Sequence, residues 1–316
     1  MLKNWRHRRK ASASPTSDNI PSVDGGVLDT TLISNGFFIG EDRVNCAVLL
    51  QNGLSILYGT NNGVFFQRLC GDLTGGPIKV LDLKKVNHLD VLREPELLVV
   101  STNESVTIFP CKPTEGFNAI TPDKGIKIAK AVSFLKAGRC LNAEFLCLVK
   151  SQKLSSTINV LRPSDDDRVA PSGERSKAKQ LAFKDSPRSS SLKVFKEFYV
   201  ASTCYSVCFL KTKLVLACAS GFQIVDLETL DIQALLDPAD VSLQFLKPYR
   251  DLRPVAIYRL EGKFLLCYTR CAFHVDKTGW RVEEDPIIEW TGIASSFGFD
   301  YPYLMICLPE HIEVRD

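Results

Sequence analysis

SVCFL (Ser206–Leu210), LVLACA (Leu214–Ala219) and FQIVD (Phe222–Asp226) read as three successive strands, the last two joined by a glycine turn at Ser220-Gly221. The first and third runs alternate apolar with polar residues, as a half-buried strand does. The middle run is apolar throughout, as expected of a strand covered on both faces. Further copies of this pattern lie on both sides. VNCAVLL, SILYG and GVFF (Val44–Phe66) come first, then VNHLDVL, ELLVV and SVTIF (Val86–Phe109). A less regular copy, AVSFL, EFLCLV and TINVL, spans Ala131–Leu161. After the quoted copy come PVAIYRL, FLLCYT and AFHVD (Pro254–Asp276), then ASSFGF, YLMICL and HIEVRD (Ala294–Asp316).

Middle strands starting near Ile56, Leu98, Leu146, Val215, Leu265 and Leu304 are separated by about 42, 48, 69, 50 and 39 residues. This is the period of one four-stranded propeller blade, apart from the single long gap. No single copy can cover its own apolar middle strand, so neighbours must stack. IQALL (Ile232–Leu236) and WRVEE (Trp280–Glu284) read as fourth, outer strands; outer strands face water and carry less apolar patterning. Stacked β-sandwiches would need two or three domains with linkers, and only one stretch between Val44 and Asp316 looks like a linker. The fold class is therefore all-β, a propeller of four-stranded blades with six repeats legible.

That one stretch is the insert 163–191, PSDDDRVAPSGERSKAKQLAFKDSPRSSS, which fills the long gap. It opens acidic at Asp165, Asp166 and Asp167, turns basic, and carries too little apolar content to order itself. Ser186, Ser189 and Ser190 in it are open to kinases, whose phosphate would reverse the local charge; a loop that merely tolerates length is the plainer alternative. Residues 1–25 read as a basic, then Ser/Pro-rich, flexible tail. Its WRHRRK run (Trp5–Lys10) is either a solubilising end or a contact for an acidic surface such as anionic lipid. VLDTTLISNGFF (Val27–Phe38) is strand-like and is expected to close the ring as the outer strand of the last blade.

Across 316 residues, 45% are apolar and 24% charged, enough for a large core. A net charge of +3 disfavours a dedicated nucleic-acid binder. No run is long enough to span a bilayer as a helix, and the basic N-terminus lacks the apolar core of a signal peptide. Eleven cysteines, among them Cys46, Cys147, Cys218, Cys267 and Cys307, lie inside apolar strands, so they are expected as small buried hydrophobes in a reducing compartment.

Catalytic patterns are sparse. GDLTGGP (Gly71–Pro77) lacks the Gly-Lys-Ser/Thr of a phosphate loop. Cys204 with Cys208, and Cys267 with Cys271, would stand about 13 Å apart along a strand, too far to share a metal. His88 and Asp90 point the same way and could pair, although a histidine near an acid is far more often structural. Glu283, Glu284 and Asp285 read as a solvated strand end. No cofactor or metal is expected, and no enzyme activity. Binding is better served: LKPYRDLRP (Leu246–Pro254) joins two repeats and carries Tyr249, Arg250 and Arg253, residue types enriched at interface hot spots.

GFQIVDLETLDIQALLDPADVSLQFL (Gly221–Leu246), RPVAIYRLEGKFLLCY (Arg253–Tyr268) and DPIIEWTG (Asp285–Gly292) resemble the citron homology (CNH) domain. VFKEFYV and YPYLMICLPEHIEVRD fit as well, and the LETL…LLDPAD run favours the branch found in fungal Rho-type guanine nucleotide exchange factors. The resemblance covers about Val27–Asp316 and sets the propeller domain at 26–316. It implies seven blades, a place at the cell cortex, and a part in Rho signalling for polarised growth and cell-wall integrity. It also implies a non-catalytic scaffold docking a Rho-family small GTPase or its regulators. The alternative is a membrane-surface or intramolecular module controlling a neighbouring exchange domain.

Overall fold

The computed structural model describes residues 3–6, 29–33, 36–40, 42–50, 53–69, 76–112, 120–163, 192–237, 239–249 and 251–316. A two-stranded sheet, β1 (Lys3–Arg6) and β2 (Asp29–Leu32), precedes six antiparallel sheets. Blade 1 runs β3 (Val44–Leu50), β4 (Ser55–Thr60), β5 (Val64–Arg68), β6 (Ile78–Leu81). Blade 2 runs β7 (Val86–Leu92), β8 (Leu97–Thr102), β9 (Ser105–Pro110), β10 (Ile126–Lys130). Blade 3 is β11 (Phe134–Cys140), β12 (Ala143–Ser151), β13 (Ser156–Pro163), β14 (Leu192–Val200). Blade 4 is β15 (Cys204–Phe209), β16 (Lys213–Cys218), β17 (Gly221–Asp226), β18 (Ile232–Ala234). Blade 5 is β19 (Pro254–Arg259), β20 (Lys263–Tyr268), β21 (Cys271–Asp276), β22 (Ile288–Glu289). Blade 6 has three strands, β23 (Ser296–Asp300), β24 (Tyr303–Cys307) and β25 (Ile312–Arg315). Each sheet is a simple meander, and the first strand of each blade touches the first strand of the next. The first strands therefore surround the axis, as in a β-propeller.

The continuously apolar middle strands are explained by what lies on either side of them. In β8, Leu98 and Val100 pack against blade 1, while Leu97 and Val99 pack against blade 3. Leu146 and Leu148 of β12 face blade 2; Phe145, Cys147 and Val149 face blade 4. In β16 the division is Leu214, Leu216 and Cys218 toward blade 3, Val215 and Ala217 toward blade 5. Leu266 and Tyr268 of β20 meet blade 4, whereas Leu265 and Cys267 meet blade 6. The two-residue period of a strand thus sends alternate side chains to two neighbouring blades. Most of the described cysteines sit inside these layers, as expected of small hydrophobes, whereas Cys307 is half-buried on blade 6; burial pushes the thiols of Cys46, Cys111, Cys147 and Cys271 up to about 12.

Three expectations are corrected. Six blades stand among the described residues, against the seven that the resemblance implies. The strand-like segment after Val27 does not complete the last blade: Asp29–Leu32 pairs with Lys3–Arg6, and among the described residues β25 pairs only with β24. The chain just after β2 is held at blade 1 instead. Gln67 Nε2 donates to the Ile33 carbonyl at 2.7 Å, and Ile33 and Phe38 pack with Tyr58 and Phe65 on the face turned away from blade 2. Finally, the outer strand of blade 5 is Ile288–Glu289 and not Trp280–Glu284. Asp276 Oδ1 accepts the backbone N–H groups of Thr278 and Trp280, and Gly279 takes φ 95°, so the chain turns tightly and touches β21 at the single bridge Val275–Arg281.

The blades approach closely enough to exclude side chains at two glycines. A Cβ on Gly59 would lie 2.5 Å from Cys46 Sγ and 2.7 Å from Val86 Cγ1; one on Gly138 would lie 2.2 Å from the Phe209 ring of the next blade. Polar staples join blades 2 and 3. Asp90 Oδ2 accepts Ala137 N–H at 2.8 Å, and His88 donates to the Ser133 carbonyl.

Gly138→Ala should destabilise the fold by about 1–3 kcal/mol through overpacking. Combining it with Phe209→Leu should return part of the loss in a chemical-denaturation double-mutant cycle, whereas additive losses would rule out this contact as the cause. Burial holds His88 and His274 below the usual imidazole range. The unfolded chain therefore takes up protons first as pH falls, so stability present above about pH 6.5 declines below it. His88→Gln should flatten that decline in denaturant titrations from pH 7.5 to 5.

Candidate partner-binding site

In a meander the chain alternates between the two ends of a blade. Connections between strands two and three, and those between blades, therefore emerge on one face; the remaining hairpins emerge on the other. The blade 4–blade 5 connection lies on the first face. The insert leaves β13 at Pro163 and returns at Leu192 on the opposite face. Residues 164–191, with Ser186, Ser189 and Ser190, lie outside the described residues, as does Arg250.

A 3-10 turn at Val241–Leu246 begins the connection, with Asp240 Oδ1 accepting Ser242 N–H at 2.9 Å. Phe245 meets the Phe273 ring edge-on at 5.2 Å, and the Arg281 guanidinium lies 4.8 Å above Phe245. Tyr249 packs against this apolar layer, and its hydroxyl donates to the Glu289 carboxylate on the outermost strand of blade 5. That bond comes first among the causes that push the Tyr249 phenol up to about 12.

Arg253 points elsewhere. Its backbone is fixed by Thr269, whose Oγ1 accepts Arg253 N–H at 3.2 Å and whose N–H donates to the Arg253 carbonyl at 2.9 Å. The guanidinium lies 5.5 Å above the Tyr205 ring on the innermost strand of blade 4. Tyr205, Ser206, Arg253, Val255, Ser296 and Phe297 line a groove of about 460 Å³. Tyr249 and Arg253 therefore sit on one face, but Tyr249 serves the outermost strand of blade 5 and Arg253 the innermost strand of blade 4. Tyr249 is committed to Glu289, while Arg253 is exposed and makes no ion pair among the described residues. Sequence reasoning missed Tyr205; its signal was a large aromatic, 37% exposed, at the solvent-facing start of an inner strand.

The candidate catalytic groups separate. His88 turns to Ser133, and Asp90 accepts from Val91 and Ala137 with Lys136 3.8 Å away, so no His–Asp relay exists at that strand. Glu283 and Glu284 face water, but Asp285 does not join them: it ion-pairs with Lys263 and lies 3.1 Å from His274 Nδ1. Burial, then Lys263, holds the His274 imidazole low, so it is neutral at pH 7 and this cluster reads as a structural clasp. Among the described residues no group of His, Cys, Asp and Glu is arranged to hold a metal ion.

Comparison with known proteins fits this arrangement. The CNH domain family matches residues 52–316. The chain is 34% identical over 294 residues to Rho1 guanine nucleotide exchange factor 1 of Schizosaccharomyces pombe, covering 91% of this chain and 21% of that protein. Identity to RHO1 GDP-GTP exchange protein 2 of Saccharomyces cerevisiae is 29% over 304 residues, covering 92% and 22% respectively. The chain thus spans less than a quarter of the length of these relatives. A solved structure described as the AfRom2 CNH domain superposes with a TM-score of 0.74 at 35% identity, covering 90% of this chain and 84% of that one. The repeat, the six stacked blades and these matches lead to one conclusion: the chain belongs to the CNH domain family, related to the CNH domains of fungal Rho1 exchange factors.

Proposed function

We propose that this domain is a non-catalytic scaffold that docks a Rho-family GTPase, or a regulator of one, within an exchange factor acting at the cell cortex. Support comes from the named activity of the relatives and from the exposed Arg253–Tyr205 stack beside an open groove, which is the observation that carries the reading. Arginine and tyrosine anchor interfaces because each offers a large, stiff contact area together with hydrogen bonding. A rim of connections held by a stacked core presents such residues without needing chemistry of its own. Exchange itself is assigned to the parent protein outside this domain.

The purified chain should bind a Rho-type GTPase loaded with a non-hydrolysable GTP analogue more tightly than the GDP form, without accelerating nucleotide release. Arg253→Ala and Tyr205→Ala should each weaken binding by about tenfold in calorimetry, in the range of an interface anchor. Tyr249→Phe should change it little, because the Tyr249 hydroxyl is used internally. Absence of binding to either nucleotide form at high micromolar concentration would remove the GTPase reading. It would leave the neighbouring domains of the parent, or an anionic membrane, as partner.

A further inference from the structure

On the same face, three blades away from Arg253, the mouth between blades 1 and 2 holds a pocket of about 560 Å³. Its lining is three cations, Arg43, Lys84 and Lys85, and five asparagines; no carboxylate and no apolar side chain takes part. All three cations are exposed and make no ion pair among the described residues. Asp42, next to Arg43 in the chain, does not line the pocket, and Asp82, two residues before Lys84, is engaged by Lys79 at 2.6 Å.

The asparagines form a duplicated device. Asn45 Nδ2 donates to Asn61 Oδ1 at 3.0 Å, and one repeat later Asn87 Nδ2 donates to Asn103 Oδ1 at 2.5 Å, each pair 16 residues apart in the chain. Asn45 Nδ2 also donates to the Val86 carbonyl at 3.0 Å, and Lys85 N–H donates to the Asn61 carbonyl at 2.9 Å, which locks the two blades together at the pocket. Lys85 itself is held at φ 54°, in the left-handed region. With Asn45 using its Nδ2 as donor, its Oδ1 remains an acceptor; with Asn103 using Oδ1, its Nδ2 remains a donor. The other four blades carry no asparagine at the second position of the first strand, where Asn45 and Asn87 stand: Leu135, Tyr205, Val255 and Phe297 take it. The pairs are therefore not a requirement of the propeller.

We infer that this pocket binds a compact polyol carrying several phosphate monoesters, such as an inositol polyphosphate, either free or as the headgroup of a lipid. The three cations, with no carboxylate in the lining, supply the charge for more than one phosphate, and the amides can bond hydroxyls in both senses. The lack of any apolar or aromatic wall leaves nothing for a nucleobase to stack on and no seat for peptide side chains. The volume is that of a small-ligand site. If the headgroup belongs to a lipid, this face lies against the membrane.

The test is calorimetry of the full chain with myo-inositol 1,4,5-trisphosphate, together with flotation on phosphatidylcholine vesicles containing either phosphatidylinositol 4,5-bisphosphate or phosphatidylserine at matched surface charge. Binding of the soluble trisphosphate should be saturable. It should weaken by about tenfold or more in the double variant Arg43→Glu/Lys84→Glu, since loss of one good charged contact is worth about that factor. Asn103→Ala, a milder change, should weaken it with the melting temperature unchanged, and so separates binding from folding. Replacing Arg6, Arg8 and Arg9 by Ala should leave the affinity intact. Preference for the bisphosphate vesicles, competed by soluble trisphosphate, supports the lipid source; binding of the soluble compound alone supports the free one. No trisphosphate binding, equal binding by the double variant, equally strong flotation on both vesicle types that soluble trisphosphate does not compete, or tighter binding of a phosphoserine peptide would each overturn the proposal.

Discussion

The stack depends on the burial of each apolar middle strand against the neighbouring blades, between two of them in the four interior blades. β8, β12, β16 and β20 each divide alternate side chains between the preceding and the following blade. A single four-stranded sheet would leave both faces of that strand in water, and hydrophobic burial of such strands is the dominant favourable term available to it. The domain must therefore be a stack, and the apolar layers between blades act as one continuous core. Close approach follows from the same demand: at Gly59 and Gly138 the neighbouring blade occupies the volume a Cβ would need.

The two ends of the stack show what happens where a neighbour is missing. On blade 1, Ile33 and Phe38 cover Tyr58 and Phe65 in the place a preceding blade would take. On blade 6, β25 has a partner on one side only among the described residues, and Met305 and Cys307 on β24 remain partly exposed. Interior blades have neither feature, because each has a partner on both faces.

Function is displaced to the rims by this arrangement. Side chains inside the layers are consumed by packing, and the titratable groups near them become staples, as with His88 to Ser133, Asp90 to Ala137, and Lys263 with His274 around Asp285. What remains for recognition are residues at strand ends and connections on a fixed frame. Arg253 over Tyr205, and the Arg43–Lys84–Lys85 pocket with its asparagines, stand on the same face at separated blade junctions. A macromolecular partner and a small anion can thus address the domain from one side.

Local two-residue periodicity and its recurrence were enough to place the stack, that is, the six middle strands and the order of the blades. The CNH resemblance was legible in the same stretches. Short outer strands were less so: Ile288–Glu289 replaced Trp280–Glu284 because an aspartate-capped turn redirected the chain, and Asp29–Leu32 found its partner in Lys3–Arg6. That Tyr249 serves Glu289 while Arg253 meets Tyr205, and that Asn45 and Asn87 stand beside three cations, emerged from the packing of the blades. These partners lie on different strands, most of them tens of residues apart and several on different blades. Their meeting depends on how the blades are stacked around the axis, and no local pattern of apolar and polar residues encodes that geometry.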